Sequence, residues 1–469
     1  MTKFSLRDYQ ADSVRRTLNW LSTRECNPLI VMPTASGKSL VIAELCRRIK
    51  RKDPDGRIII ATHVKELVEQ NYAELKRWWP ECDAGICSAG LKREDFKADI
   101  TVGTIQTLYL RAWAFGDVRH IIIDEAHMIP RAANSRYQKM LRSIEIAAKT
   151  KVPIIGLTAT PYRLDSGFLH QGDDAIFDLI AANVPITKLI HDKHLVPLVN
   201  KVTATQIDTS RMLRNRDDFT TASMQVEVER QQISNKAINE ITKSAAGRKS
   251  WLVFAVSIKH ATELKDALNA SGIPSRTVSS ETPREERDQI IQAFRDGAFT
   301  ALVSVNILTT GFNVPEIDLI ALLRPTLSTA LYVQMLGRGM RTAKDKSDCL
   351  VLDFGGNIER HGPINNLAIQ VEAPIDVSGE GEMKTKICPT CEKQMLVVQR
   401  TCSDCGHLFT ELSSEPDCNN AVLDLTRPEP EQPMTPREIL KSYLRVKKVG
   451  SDPFIEHLMN LKSRSHEAA

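Results

Sequence analysis

The 469 residues are too many for one hydrophobic core, so the length predicts roughly two to four domains. A net charge of +4 is too small to indicate nucleic-acid binding by itself, so any such surface must be local. No stretch reaches the roughly 20 apolar residues of a membrane span, and the first residues lack a signal-peptide core, which predicts a cytoplasmic protein without membrane contact.

The first 190 residues alternate short apolar runs with segments of helical periodicity. The runs read PLIVMP, RIIIATH, ADITVGT, HIIIDEA and VPIIGLTAT. Strands that are apolar throughout are buried on both faces, which is typical of a parallel sheet covered by helices. Residues 1–190 are therefore predicted to form an α/β domain.

The stretch VMPTASGKSL predicts a phosphate-binding loop between a strand and a helix. Its backbone N–H groups from Ala35 to Lys38 would point at an anion at the positive end of the helix dipole. Lys38 would reach the β- and γ-phosphates, and the Ser39 hydroxyl would bind Mg²⁺. Met32 stands where the strict pattern has glycine, but this change removes no N–H donor.

The stretch HIIIDEAHMIP places two carboxylates at the end of an apolar strand. Ligands of α/β sheets bind at the carboxyl ends of the strands. Asp124 can hold Mg²⁺ through water, opposite Ser39, and Glu125 can orient and polarise an attacking water. The pair predicts phosphoryl-transfer chemistry.

The alternation returns after a polar, helical segment that predicts a bridge over residues 191–250. The later runs read WLVFAVS, SRTVSS, TALVSVN, LIALLRP and CLVLDFG. They predict a second α/β domain over residues 251–365. The Pro- and Glu-rich stretch LTRPEPEQPMTPRE predicts an extended tether that, with two short helix candidates, forms a tail over residues 425–469.

Two CxxC pairs, CPTC and CSDC, stand ten residues apart in a predicted module over residues 386–410. Four thiolates can close a tetrahedral site, so the spacing predicts a structural Zn²⁺, with an iron–sulfur cluster as the alternative. The ligands would be Cys388, Cys391, Cys402 and Cys405. So small a module with few apolar residues is predicted to fold only with its metal.

DEAH together with GLTATP resembles the signature of superfamily 2 helicases and translocases. Further blocks occur in the order of that superfamily: LRDYQ, ATHVKELVEQN, VGTIQTL, VNILTTGFNVPEIDLI and YVQMLGRGMR. Over about residues 1–360 the chain resembles the bacterial RadD group of DNA-repair ATPases. The likeness rests on LRDYQ, HVKELVEQN, GLKR, GLTATPYRL, LTTGF, LIALLRPT and GRGMR, and the cysteine module also fits.

The resemblance implies two tandem RecA-like domains, each on a parallel sheet, followed by a zinc-ribbon-like module and a short helical tail. It implies ATP and Mg²⁺ as cofactors and arginines of the second domain that stabilise the transition state. The implied catalytic residues are Lys38, Asp124, Glu125, Gln334, Arg338 and Arg341. The implied cofactor-binding residues are Arg7, Gln10 (as a reader of the adenine), Pro33, Thr34, Ala35, Ser36, Gly37, Lys38, Ser39, Asp124 and Gly311.

The resemblance also implies residues that couple the nucleotide to movement of the domains and to nucleic acid. The coupling residues are His127, Thr158 and Thr160. The nucleic-acid candidates are His63, Lys65, Gln70, Thr104, Gln106 and Thr309. Asn313 stands where motif V often has aspartate, which puts its coupling role in doubt.

These features together predict an ATP-dependent DNA helicase or translocase that acts on single-stranded or branched DNA in repair and recombination. Recombinase filaments and single-stranded-DNA-binding protein are the partners that the resemblance implies, with a nucleoid association if the protein is bacterial. The residues alone do not distinguish DNA from RNA, or strand separation from translocation. The alternatives are a motor subunit of a restriction or nuclease system and a non-catalytic, ATP-gated clamp on nucleic acid.

Overall fold

A computed structural model describes most of the chain up to Ile364 and two short strands beyond it. The described residues are 5–130, 135–163, 167–172, 175–215, 218–305, 312, 314–364, 385–387, 389–390 and 394–396. Within this part of the chain, no helix is long and apolar enough to cross a membrane.

The first domain is built on a sheet of eight strands. In chain order the strands of this sheet are β1 (Pro28–Val31), β2 (Arg57–Thr62), β3 (Ala84–Ser88), β4 (Arg93–Glu94), β5 (Ile100–Thr104), β6 (Val118–Asp124), β7 (Ile154–Thr158) and β10 (Leu179–Asn183). Two further strands, β8 (Tyr162–Arg163) and β9 (Gly167–Phe168), form a separate antiparallel pair. The order across the sheet is β10-β1-β7-β6-β2-β5-β3-β4. All neighbours are parallel except β3 and β4. The carboxyl ends of β1, β6 and β7 therefore lie side by side.

Helices cover both faces of this sheet. They are α1 (Asp8–Thr23), α2 (Lys38–Lys52), α3 (Lys65–Trp78), α4 (Ile105–Arg111), α5 (Arg136–Ala148) and α6 (Ile186–His191). The apolar run of β2 has no polar interruption because both faces of the strand are buried. Ile58 and Ile60 pack into the core cluster that contains residues of α1, α2 and α3, whereas Ile59 and Ala61 pack into the cluster that contains residues of α4 and α5.

The second domain is built on a sheet of six parallel strands. These are β11 (Leu198–Lys201), β12 (Trp251–Phe254), β13 (Ser275–Val278), β14 (Ala301–Ser304), β15 (Leu319–Leu322) and β16 (Cys349–Asp353), in the order β11-β16-β15-β12-β14-β13. The accompanying helices are α7 (Thr221–Arg230), α8 (Ile233–Ser244), α9 (Ile258–Ala270), α10 (Arg284–Arg295), α11 (Thr329–Leu336) and α12 (Asn357–His361).

The segment predicted as a helical bridge, residues 191–250, contributes to this second domain. It contains α7 and α8, and it also contains β11, which pairs with β16. Met224 and Ile238 from these helices pack in one core cluster with Trp251 and Val253 of β12. The apolar faces of α7 and α8 are therefore buried against the second sheet.

The sequence prediction of an α/β protein with parallel sheets is confirmed. Beyond the two domains, β17 (Thr385–Ile387) pairs antiparallel with β18 (Gln394–Leu396). The intervening residues include Cys388 and Cys391, which lie outside the described residues, as do Cys402, Cys405 and the predicted tail over residues 425–469.

Candidate active site

The loop between β1 and α2 has the backbone shape that a phosphate-binding loop needs. Ala35 and Gly37 both have positive φ angles, of 68° and 82°. A side chain at position 37 would also meet Gln10, because a Cβ atom there would lie 2.5 Å from Gln10 Nε2. Glycine is therefore required by conformation and by space at this one position.

Two residues of α1 hold the loop from behind. The Tyr9 hydroxyl donates a hydrogen bond to the Ser36 carbonyl oxygen over 2.9 Å, and Gln10 Nε2 donates to the same oxygen over 3.0 Å. Gln10 Oε1 accepts from the Arg7 N–H group over 3.0 Å. Both ends of the Gln10 amide are thus engaged within the protein, so Gln10 supports the loop here, and its reading of adenine stays a prediction.

The acidic pair lies at the end of β6, next to this loop. Asp124 Oδ1 accepts a hydrogen bond from the Glu125 N–H group over 3.0 Å, and Glu125 Oε1 lies 3.8 Å from Lys38 Nζ. Burial and the charge of Glu125 raise the pKa of Asp124, although Lys38 and a hydrogen bond from Asn71 oppose this rise. A divalent cation at this place would favour the ionised carboxylate.

A series of polar contacts runs from the acidic pair to the end of β7. His127 Nδ1 lies 3.4 Å from Glu125 Oε2 and 3.0 Å from Thr158 Oγ1. Thr158 Oγ1 donates to the Thr160 carbonyl oxygen over 2.9 Å and accepts from the Thr160 N–H group over 3.0 Å. Because the Thr158 hydrogen is directed at Thr160, His127 Nδ1 is the donor to Thr158. The structure therefore brings the three predicted coupling residues together beside Glu125.

The two predicted arginines come from the segment that follows α11. Arg338 Nη1 and Arg341 Nη1 donate to the same carbonyl oxygen, that of Phe312, over 2.6 and 2.9 Å. Burial and the charge of Arg341 lower the pKa of Arg338 to about 9, although Glu125 opposes this effect. Burial lowers the pKa of Arg341 to about 10. An anion beside these groups would stabilise both in their charged form.

A cavity of about 560 Å³ joins the loop, the acidic pair and the arginines. It is lined by residues of both domains: Ser5, Arg7, Gln10, Thr34, Ala35, Ser36, Gly37, Lys38, Ser39, Leu40, Leu67, Gln70, Glu74, Arg77, Asp124, Glu125, His194, Gln334, Arg338, Arg341 and Thr342. Its volume lies in the range of small-molecule sites. Of the predicted cofactor residues, Pro33 does not line the cavity, and Gly311 lies outside the described residues.

The donor set of this cavity fits a nucleotide with magnesium. Glu125 Oε2 is buried and accepts no hydrogen bond within the described part of the chain, and the Thr34 hydroxyl is in the same situation. Hydroxyl and carboxylate oxygens are the ligands that Mg²⁺ prefers, and lysine, arginine and loop N–H groups suit phosphates. Lys38, Arg338 and the loop would hold the phosphates, and Ser39 with Asp124 would hold the ion.

A larger cavity, of about 890 Å³, lies at the carboxyl ends of α2 and α3. It holds none of the predicted site residues. Several of its charged side chains already form ion pairs, with Lys50 Nζ 3.0 Å from Asp99 Oδ2 and Arg47 Nε 2.7 Å from Glu44 Oε2. The smaller cavity between the domains is therefore the candidate site.

Helix α3 reaches the candidate site through residues that sequence reasoning did not connect with it. Gln70 donates through Nε2 to Ser39 Oγ over 3.1 Å, and its contact with nucleic acid stays a prediction. Asn71 Nδ2 donates to Asp124 Oδ2 over 2.9 Å. The sequence hinted at these two contacts only through the block ATHVKELVEQN, which begins at the end of β2, the strand next to β6.

The predicted nucleic-acid residues differ in accessibility. Thr104 is 7% exposed, and its hydroxyl lies 3.0 Å from the Thr107 hydroxyl, an arrangement that favours a structural role. Gln106 is exposed and donates to the His63 carbonyl oxygen over 3.3 Å. Burial lowers the pKa of His63, which Glu125 and Asp124 partly offset. Lys65 is partly exposed at the start of α3, and Thr309 lies outside the described residues.

The described residues contain no group of three or more His, Cys, Asp or Glu side chains arranged to hold a metal ion. The four cysteines predicted to bind Zn²⁺ lie outside these residues, so the zinc site stays a prediction.

Two family profiles match the chain, one on each domain. Residues 3–163 match the profile described as "Type III restriction enzyme, res subunit". Residues 233–343 match the "Helicase conserved C-terminal domain". The first match contains the phosphate-binding loop and the acidic pair, and the second contains Arg338 and Arg341.

The chain is similar in sequence to proteins named as helicases. A Saccharomyces cerevisiae protein named as the ATP-dependent helicase IRC3 is 32% identical to it over 366 residues, which is 75% of this chain and 51% of that protein. This chain thus spans about half the length of that relative.

Solved structures share the fold of these two domains at low sequence identity. The ATP-dependent Type ISP restriction-modification enzyme LlaBIII bound to DNA has a TM-score of 0.56 and 15% identity, covering 78% of this chain and 29% of that one. The Mycobacterium smegmatis helicase Lhr bound to ssDNA and AMP-PNP has a TM-score of 0.52 and 20% identity, covering 78% and 48%.

Proposed function

We propose that this protein is a DNA-dependent ATPase that moves along or unwinds single-stranded or branched DNA. The observation that carries the proposal is the composite cavity, in which Lys38 and Glu125 of the first domain face the same space as Arg338 and Arg341 of the second. A site divided between two domains acts only when they close, so hydrolysis can be coupled to movement.

Each residue has a separate task in the proposed reaction. Bound MgATP supplies the phosphoryl group that is transferred to water. Glu125 accepts a proton from the attacking water, and His127 helps to fix the orientation of the Glu125 carboxylate. Lys38 of the first domain and Arg338 of the second both stabilise the negative charge on the transferred phosphoryl group.

The proposed substrate is DNA because both structural neighbours described above contain it, as a DNA complex of LlaBIII and an ssDNA complex of Lhr. Lys65 and Gln106 offer contacts to a sugar-phosphate backbone, which give salt-sensitive affinity without sequence preference. The likeness to the RadD group supports a place in DNA repair. It also motivates the proposal of recombinase and single-stranded-DNA-binding protein as partners.

A motor subunit of a restriction system is a second candidate function. The profile that matches residues 3–163 is named after a restriction subunit, and LlaBIII is a restriction-modification enzyme. This function would require a nuclease partner, so stable copurification with a nuclease would favour it over the repair motor.

The test is ATP hydrolysis by the purified protein without nucleic acid and with single-stranded DNA, forked DNA or RNA. We expect stimulation by DNA, and a loss of at least about a hundredfold in turnover for Glu125→Gln because its proton acceptor is gone. Glu25→Gln, the same change at an exposed position, is the matched control. Comparable stimulation by RNA would contradict the DNA assignment. Bound ATP with no turnover on any substrate would favour the non-catalytic clamp.

We also propose that Cys388, Cys391, Cys402 and Cys405 hold a structural zinc. The β17–β18 pair supports this, because its strands flank the first CxxC pair. Metal analysis of the intact protein should find about one zinc per chain. The double variant Cys388→Ser/Cys402→Ser should lose it, and the buried Cys26→Ser control should retain it. Iron with acid-labile sulfide would overturn the zinc assignment in favour of a cluster.

A further inference from the structure

Helix α3 contacts both residues that would hold the magnesium ion. Gln70 Nε2 donates to Ser39 Oγ over 3.1 Å, and the next residue, Asn71, donates through Nδ2 to Asp124 Oδ2 over 2.9 Å. Ser39 lies in the first turn of α2 and Asp124 at the end of β6. Two consecutive side chains of one helix therefore join elements that come from distant parts of the sequence.

We propose that Gln70 and Asn71 are positioning residues for the magnesium ion, an inference that rests on the proposed ATPase function. Asn71 is 1% exposed and Asp124 is 2% exposed, so their bond is shielded from water. Each Asp124 oxygen accepts one hydrogen bond, from Asn71 or from the Glu125 N–H group, and keeps a second lone pair for a water bound to the ion.

A neutral amide is suited to this task. It donates a hydrogen bond to the carboxylate without a positive charge that would repel Mg²⁺, and it adds no negative charge to the acidic pair. Gln70 acts in the same way on Ser39, whose hydroxyl oxygen can accept this bond and still face a cation. Partners of this kind orient the residues that bind a metal and affect its affinity.

The same helix also touches the second domain. Glu69, which precedes Gln70, lies with Oε1 2.7 Å from Arg284 Nη2 at the start of α10. Because a helix moves as one body, a shift of α3 when the domains close would act on the bonds of Gln70 and Asn71. The metal ligands are thus connected to domain closure through a single helix.

The test compares Gln70→Met and Asn71→Leu with Ala73→Ser, an exposed position on the same helix. The affinity of a fluorescent, non-hydrolysable ATP analogue is measured with Mg²⁺ and with EDTA. Wild type should bind more tightly with Mg²⁺. In Gln70→Met and Asn71→Leu, the increase in affinity that Mg²⁺ provides should fall by about tenfold. Their affinity in EDTA should stay within about twofold of wild type. Ala73→Ser should bind the analogue as wild type does in both conditions.

Several results would overturn the inference. One is a folded Gln70→Met protein that keeps the full increase in affinity on adding Mg²⁺. Another is an equal loss of affinity with Mg²⁺ and with EDTA, which would mean that the change disturbs the phosphate-binding loop and not the ion. If Asn71→Leu does not fold, Gln70→Met decides alone, since Gln70 is exposed. Absence of nucleotide binding by wild type in both conditions would instead refute the proposed function, and the inference with it.

Discussion

Single residues decide how closely the two domains can approach. Gly337 of the second domain lies against Thr34 of the phosphate-binding loop, and a Cβ atom at position 337 would lie 2.5 Å from Thr34 Cβ. That distance is far below van der Waals contact, so any side chain at 337 would push Arg338 away from the loop.

Gly337→Ala should therefore lower ATP turnover by at least about tenfold while both domains stay folded, because misplacement of a catalytic group reduces rate steeply. The measurement is DNA-stimulated hydrolysis together with the thermal unfolding midpoint. Gly339→Ala is the informative contrast, since its Cβ atom would meet Cys349 and Ile320 inside the second domain. That variant should lose about 1–3 kcal/mol of stability. Unchanged turnover in Gly337→Ala would contradict the close approach.

At the residue scale, the sequence predicted the candidate groups that stand in one short block. Lys38, Glu125 and Arg338 were predicted because their neighbours along the chain carry the pattern. Asn71 was missed as a partner of Asp124 because 53 positions separate them and only the fold brings them together. The bond from Gln70 to Ser39 was missed for the same reason, since 31 positions separate the two residues.

Among the elements, α2 and α3 form the packed pair on which the site is built. Glu44 of α2 is 2% exposed, and its carboxylate accepts hydrogen bonds from Arg47, Arg48 and, on α3, Trp78. Burial raises the pKa of Glu44, but these three hydrogen bonds outweigh it and lower the pKa to about 2.

Glu44→Gln should lower the free energy of unfolding at pH 7 by about 1–3 kcal/mol, because it removes charge-assisted hydrogen bonds. The folded-state pKa lies below the ordinary value of 4.5, so the contribution of the carboxylate is complete above that pH and is lost as the pH falls toward about 2. Urea unfolding at pH 7, 5 and 4 measures this, with Glu25→Gln as the exposed control. Equal stability of wild type and Glu44→Gln at pH 7 would contradict a stabilising role for the carboxylate.

At the element scale, the long apolar runs predicted their strands well, because a strand buried on both faces needs an uninterrupted apolar sequence. Strand β11 was missed within the predicted bridge. Its residues, LVNK, are few and end in polar side chains, and it becomes a strand by pairing with β16. Tertiary pairing, rather than local pattern, decided this element.

The proposed activity of the whole molecule depends on contact between the domains. Arg284 of α10 and Glu69 of α3 form an ion pair across the cleft, with side chains that are 55% and 39% exposed. Exposed pairs contribute at most about 1 kcal/mol and are screened by salt, so this pair biases closure without fixing it.

Reversal of either charge, as Arg284→Glu or Glu69→Arg, should lower DNA-stimulated turnover by up to about fivefold at low salt. The double reversal should restore the turnover, and the differences should shrink as added salt shortens the Debye length from about 30 Å at 0.01 M to about 10 Å at 0.1 M. Hydrolysis rates of the four proteins at both salt concentrations form a complete cycle. A double reversal no better than the single changes would show that the two charges do not act as a pair.

At the scale of the whole molecule, the sequence predicted two domains with the halves of the site on opposite sides of a cleft. It could not predict which contacts hold the domains together. These contacts join Glu69 to Arg284 and Thr34 to Gly337, which lie far apart in the chain, and no sequence motif pairs them.

Arg338→Ala tests whether the active site is shared between the two domains. DNA-stimulated ATP turnover should fall at least about a hundredfold, because a transition-state charge loses its partner, while binding of a non-hydrolysable ATP analogue should change by less than about tenfold. Arg276→Ala, at an exposed position of the same domain, should behave as wild type. Turnover near the wild-type rate in Arg338→Ala would contradict the claim, since the first domain would then hydrolyse ATP without the second.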